Sequence, residues 1–171
     1  MSRRYAVIGL GQFGRAIASV LSNKGAEVIA IDNSPAHIES IKDDVAMAIC
    51  MDATDRKALI SHGIHEVDAV VLAIGKDFEA QLLCAAHLLE LNSKRIIARS
   101  HGKHQRMILE RLGVSEILTP EDEVGKIVAE RLLNPSILSF LELPDDFEIV
   151  EIRAPKRIIN RSLEDVGLRD K

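Results

Sequence analysis

The residues best suited to chemistry stand near the start of the chain. Gly9, Gly11 and Gly14 lie in AVIGLGQFGRAI, the stretch from Ala6 to Ile17. They form G-x-G-x-x-G between an apolar run and an apolar-periodic stretch, where a strand would turn directly into a helix. In such a turn Gly9 permits the sharp bend, Gly11 lets backbone approach a phosphate, and Gly14 lets helix and strand pack closely. The helix N-terminus adds unsatisfied N–H groups and the positive end of the helix dipole. The chemistry on offer is phosphate binding. Asp32 follows 18 residues after Gly14, at the end of the next apolar run, EVIAID. A carboxylate there accepts hydrogen bonds from both ribose hydroxyls and repels a 2′-phosphate, which disfavours NADP. Turn and carboxylate together predict an adenine-nucleotide site. The competing reading is an empty fold with a solvated Asp32.

Two more segment ends fall on the same edge. In MDAT, Asp52, Ala53 and Thr54 could wall an adenine, with Asp52 or a backbone group meeting its amino group. Asp52 and Thr54 would equally serve to cap a helix beginning near Asp55. In AIGKD, Ile74 and Gly75 would lie beside the phosphates or the second half of a dinucleotide.

Residues for catalysis are sparse. A dehydrogenase needs an acid/base group held near a nicotinamide, and only about 50 residues follow the sixth apolar segment, too few for a substrate domain. The six histidines are His37, His62, His65, His87, His101 and His104. His37 and His62 fall on peripheral helices and His87 inside a sheet-covering one. His101 and His104 lack a third ligand at metal spacing, so no metal is expected. Cys50 and Cys84 read as buried thiols in apolar surroundings, without metal-ligand spacing. G-x-S-x-G, C-x-x-C and H-E-x-x-H are all absent. A nucleotide site without catalytic groups points to a sensor.

The elements that must position these residues alternate regularly. YAVIGL, EVIAID, AMAICMD, DAVVLAIG, RIIARS and SEILTP read as strands. GRAIASVLSNKG, SPAHIESIKDD, TDRKALISHG, DFEAQLLCAAHLLELN and KHQRMILERLG read as the intervening helices. Gly25 is a natural helix stop, Ser34 an N-cap and Pro35 a first helical residue. Apolar strands separated by helices predict an α/β fold, a Rossmann-like doubly wound parallel six-stranded sheet in the order 3-2-1-4-5-6. After Pro120 the pattern changes to a helix, EDEVGKIVAERLL, a second and more apolar helix, NPSILSFLEL, and a strand within DDFEIVEIRAP. The expected division is a nucleotide-binding lobe over 1–133, a crossover and dimerisation helix with linker over 134–146, and the opening of a C-terminal lobe over 147–171.

Composition sets the outer bounds. The 171 residues are 47% apolar and 28% charged, as in a globular protein. A net charge of −4 offers no basic face for nucleic acid. No apolar run reaches the ~18 residues of a membrane span, and MSRRYAVIGLG runs straight into the glycine turn rather than reading as a signal peptide. A cytoplasmic location is expected.

The glycine turn, the D-A-T tripeptide, the A-I-G strand end, the A-R strand and the P-E…G helix start occur here in one order. In that order the chain resembles, over nearly its whole length, the regulator-of-potassium-conductance (RCK) domain, and more narrowly the Trk/Ktr potassium-uptake regulatory subunits. The resemblance implies a non-enzymatic gating subunit at the inner face of the cell membrane. Dimers would assemble into an octameric ring beneath a potassium-translocating membrane subunit, and the chain itself would not enter the bilayer. It implies an adenine nucleotide, NAD(H), ADP, ATP or AMP, with phosphate at the glycine turn, ribose at Asp32, the adenine side at Asp52, and the Arg99 guanidinium toward phosphates. An ordinary surface ion pair is the other reading of Arg99. Some Ktr members carry Arg where this chain has Gln12, and that Arg reaches the terminal phosphate of ATP in a neighbouring subunit. Gln12 has no such charge, which leaves NAD(H), ADP or AMP more open. Glu121 matches a family glutamate near the dimer interface that approaches a divalent ion or the neighbour's ligand; a dipole-favoured helix carboxylate is the alternative. The helices over 121–143 would build the dimer, and EIVEIRAP…NRSLEDVGLR would open the lobe that serves second ligands such as cyclic di-AMP. The nucleotide-contacting set is then Gly9, Gly11, Gln12, Phe13, Gly14, Asp32, Asn33, Asp52, Ala53, Thr54, Ala73, Ile74, Gly75, Arg99 and Glu121. The rival from the enzyme class is an NAD-dependent oxidoreductase or a fragment of one. A redox-sensing repressor would need a basic DNA-binding helix, and none is visible.

Overall fold

Six short apolar runs become six parallel strands in the computed structural model, which describes residues 3–142, 147–162 and 164–167. The strands are β1 (Arg4–Ile8), β2 (Glu27–Asp32), β3 (Met47–Cys50), β4 (Ala69–Leu72), β5 (Ile96–Arg99) and β6 (Glu116–Leu118). The order is β3-β2-β1-β4-β5-β6, as the alternation of elements predicts. The connecting helices are α1 (Gln12–Asn23), α2 (Pro35–Glu39), α3 (Arg56–Ser61), α4 (Phe78–Glu90) and α5 (Gly102–Leu112).

The period-two pleat divides each strand between two cores. Ala6 and Ile8 of β1 join Ile29, Ile31, Val70 and Leu72 on the face that meets Leu59 of α3, Leu88 of α4 and Leu109 of α5. Val7 points the other way, with Val28, Ala30 and Val71, toward Ala18, Ile17 and Leu21 of α1. All four residues of β4 are buried, since both of its faces are covered.

Successive strands are built outward on opposite sides of the β1/β4 pair, so a crevice opens at their carboxyl ends. Backbone bonds hold its rim: the Gly9 N–H donates to Ile31 O at 2.8 Å and the Ala73 N–H to Ile8 O at 2.7 Å.

The chain divides into two compact units, Met1–Pro120 and Glu121–Lys171. The second contains most of α6 (Pro120–Leu133), then β7 (Ile137–Glu142) paired antiparallel with β8 (Glu148–Ile152). Here the sequence expectation fails: NPSILSFLEL is not a second helix, so no dimerisation helix occupies 134–142. An apolar run of this length has no decisive period. Its pairing with the alternating EIVEI run of β8 settles it as a strand, and a Ser136 carbonyl accepting from the Arg153 N–H at 2.8 Å extends that pairing. The rest of the expected linker, 143–146, and positions 163 and 168–171 of the terminal segment lie outside the described residues.

Candidate functional site

Gly9 leaves β1 with φ +92°, a conformation open to glycine and strained for other residues. A Cβ there would stand 2.8 Å from Ile74 N and 2.9 Å from the Ala73 carbonyl carbon. The β1 exit is therefore pressed against the β4 exit, with no room for a side chain. Gly14, buried in α1, faces back on the same bend. A Cβ on it would overlap the Gly9 carbonyl oxygen and reach 3.0 Å from the Ala73 Cβ. Gly11 differs from both. It is the N-cap of α1, in extended conformation, and a Cβ there would meet nothing within 4 Å. Two glycines close the bend, and the third keeps space in front of a helix N-terminus. That space, beside N–H groups with no intrahelical acceptor, suits an anion. Gln12 opens the helix and is exposed, while Phe13 packs partly against the core beneath.

Asp32 ends β2 beside this opening. Its Oδ2 accepts from the Leu10 N–H at 2.6 Å, and its Oδ1 from the Ser34 N–H at 2.8 Å. His37 Nδ1 lies 3.1 Å from Oδ2. Burial would raise this carboxyl, but the Leu10, Ser34 and His37 contacts outweigh it and hold Asp32 below the usual carboxylate range. The group is therefore an anion at neutral pH, anchored to the turn itself. Ser34 does cap α2 by position, though its side chain makes no capping bond. Asn33 is exposed, and its carbonyl faces the Cys50 thiol at 3.7 Å.

At the end of β3, Asp52 Oδ1 accepts from the Thr54 N–H at 2.9 Å and the Thr54 hydroxyl at 2.7 Å. Those bonds from Thr54, main chain first, lower its pKa. The capping alternative for Asp52 and Thr54 does not occur, because Asp55 caps α3 itself, accepting from Lys57 and Ala58 N–H groups. Ala53 is buried in the core. At the end of β4, Ala73 is buried against the glycine bend and Ile74 packs on the core. Arg99 ends β5. Its guanidinium carbon lies 5.3 Å from the Phe13 ring centroid, within reach of a cation–π contact. Glu121 stands in the second unit, in the first turn of α6 beside Asp122 and Glu123, where carboxylates complement the helix dipole.

The crevice of the first unit thus gathers Gly11, Phe13, Asp32, Gly75 and Arg99 at the carboxyl edge of β2, β1, β4 and β5. The sequence reading missed three residues there. The sequence puts His37 at the periphery, yet the first turn of α2 folds it back onto Asp32. His101, the N-cap of α5, sets its Nε2 3.2 Å from where a Gly75 Cβ would be. Gln81 of α4, only 1% exposed, donates from Nε2 to Arg99 O at 2.7 Å and Leu72 O at 3.3 Å, tying the ends of β5 and β4 together. The available signal was proximity to strand ends: each lies within a few residues of one, or on the helix that follows it.

The cysteines divide. Cys84 is buried, and burial, with the Asp52 charge adding, pushes its thiol up to about 12; it is an inert core residue. Cys50 is exposed, against the expectation. It belongs to edge strand β3, whose first and last residues face solvent. Among the described residues no helix is long and apolar enough to cross a membrane.

A TrkA-N domain model matches residues 5–120. The Ktr system potassium uptake protein C of Bacillus subtilis is 32% identical over 171 residues, covering 100% of this chain and 77% of that one. Protein A of the Ktr system of the same organism is 31% identical over 170 residues, covering 99% and 77%. A structure of GsuK bound to ADP superposes with a TM-score of 0.64 at 25% identity, over 76% of this chain and 34% of that one.

Proposed function

The chain belongs to the TrkA-N domain family, and on that footing we propose that it is a regulatory subunit of a potassium-transport system, binding an adenine nucleotide without reacting it. The observation that carries this reading is the pairing of Gly11 and Asp32. An open helix N-terminus and an ionised carboxylate tied to the same turn suit, in their chemistry, the phosphate and the ribose of a nucleotide. The ligand is NAD(H), ADP, ATP or AMP. Family likeness supports the class, with GsuK described bound to ADP. Asp52 takes the adenine side, Arg99 the phosphates, and Glu121 the ligand or a divalent ion at a subunit interface. Nucleotide exchange shifts an assembly between two states by its difference in affinity for them, and that shift gates a potassium-translocating membrane subunit at the inner face of the membrane.

The test is titration with NADH, ADP and ATP, followed by incubation of the NADH complex with simple carbonyl substrates. Saturable binding with no loss of reduced nicotinamide is expected. Turnover would put an NAD-dependent oxidoreductase in its place. Gln12 offers no cation to a third phosphate, so ATP and ADP should bind within about tenfold of each other, near 1.4 kcal/mol. ATP binding far more tightly would mean that another residue supplies the charge.

Self-association belongs to the same reading. Along α6, Val124, Val128 and Leu132 recur every four residues on one face, exposed by 57%, 49% and 76%. Leu133 beside them is 76% exposed. Such a stripe is suited to a second copy of the chain, and dimers so formed would close into a ring, octameric as in the family. Leu132→Asp should shift the assembly toward monomer in light scattering. A wild type already monomeric at roughly the concentrations where specific homodimers form, micromolar and above, would contradict this.

A further inference from the structure

From the head groups that converge over Gly75, we infer that His101 and Arg99 form a subsite for the second phosphoryl group of a diphosphate-bearing adenine nucleotide. This rests on the nucleotide reading above and extends it to a residue that the motif does not include.

The geometry is specific. A Cβ at Gly75 would stand 3.2 Å from His101 Nε2 and 3.4 Å from Arg99 Nη1, so both heads lie over one point at the β4 exit. That exit is pressed against the glycine bend through Ala73 and Ile74. The strand order β2-β1-β4-β5 therefore puts Asp32 on one flank of the bend and the Arg99 and His101 heads on the other. A ligand with ribose at Asp32 and its first phosphate before Gly11 must extend its next group toward β4 and β5. A guanidinium and an imidazole both donate N–H bonds suited to phosphate oxygens.

The heads are held from behind. Gln81 fixes the Arg99 carbonyl to the end of β4, and the Phe13 ring lies under the guanidinium. The His101 main-chain N–H donates to Gln105 Oε1 at 2.8 Å, which sets the residue at the mouth of α5. A side chain at position 75 would press on both heads, so glycine there keeps them together.

The subsite predicts discrimination by phosphate number. AMP ends before it; ADP and the pyrophosphate of NAD reach it. Calorimetric titration of AMP and ADP into wild type, His101→Ala and His101→Gln tests this. His101→Ala should weaken ADP by about tenfold, the scale of one hydrogen bond to a charged group, and leave AMP within about twofold. His101→Gln keeps an N–H donor and should restore most of the loss. If His101→Ala leaves ADP unchanged, or weakens ADP and AMP equally, the subsite is wrong. If wild type binds neither nucleotide, the underlying reading falls first, and that outcome is distinct from a failure of His101.

Discussion

Gly14→Ala should cost the first unit far more stability than Gly11→Ala, a methyl group added three residues earlier at the same bend. The new Cβ would overlap the Gly9 carbonyl oxygen, a main-chain atom that cannot rotate aside. Gly9 has little freedom to yield, since its N–H is bonded to Ile31 O and the space beside its Cα is closed by Ile74 N and the Ala73 carbonyl. Overpacking of this kind costs about 1–3 kcal/mol and sometimes more. The melting temperature followed by circular dichroism should then fall by roughly 6–12 °C, taking about 3 kcal/mol at 2–4 °C each. Gly11→Ala is the matched control. Its Cβ meets nothing, so stability should change by no more than about 1 kcal/mol, the scale of an N-cap substitution, while nucleotide affinity drops because the methyl stands where the phosphate must approach. Equal melting temperatures for the two variants would show that Gly14 is not a packing residue.

Asp32→Ala should lose about ten- to a hundredfold in affinity for ADP and NADH, the equivalent of roughly 1.5–3 kcal/mol for hydrogen bonds to a charged acceptor. It should also loosen the turn, because the Leu10 and Ser34 N–H groups lose their acceptor. Asp32→Asn keeps one carbonyl oxygen and separates the two effects: stability recovers in part, ribose binding much less. The pH dependence has a definite sign. Asp32 is held below its unfolded value of about 3.9. Its contribution to stability is therefore full above that value and is lost as pH falls through the lower, folded pKa. In Asp32→Ala that part of the acid sensitivity should vanish. Calorimetric affinity unchanged in Asp32→Ala would remove this strand end from the site.

Much of the first unit was legible because its signals are local. Apolar runs bounded by glycine and capping residues gave six strands and five helices, and the parallel order followed from their alternation. The glycine bend was legible for the same reason: Gly9, Gly11 and Gly14 are adjacent in sequence and act through backbone. The second unit was less so. Ile137–Glu142 carries apolar residues without a clear period, and its strand form depends on pairing with β8, a partner later in the chain. His37, Gln81 and His101 escaped for a related reason. Each lies just after a strand end or on the helix that follows it, but spacing alone does not say that its side chain turns back toward the strand ends. Cys50 was misplaced because an apolar sequence neighbourhood does not distinguish an edge strand from a central one.

The most direct measurement of the central claim is hydrogen–deuterium exchange of the full chain with and without saturating ADP. Slowed exchange should appear in the peptides that carry residues 9–14, 31–34 and 73–76, with the first turn of α1 slowed most, since its N–H groups would donate to phosphate. Saturable ADP binding that leaves the 9–14 peptide unchanged, or no change in exchange anywhere in the first unit, would contradict the account.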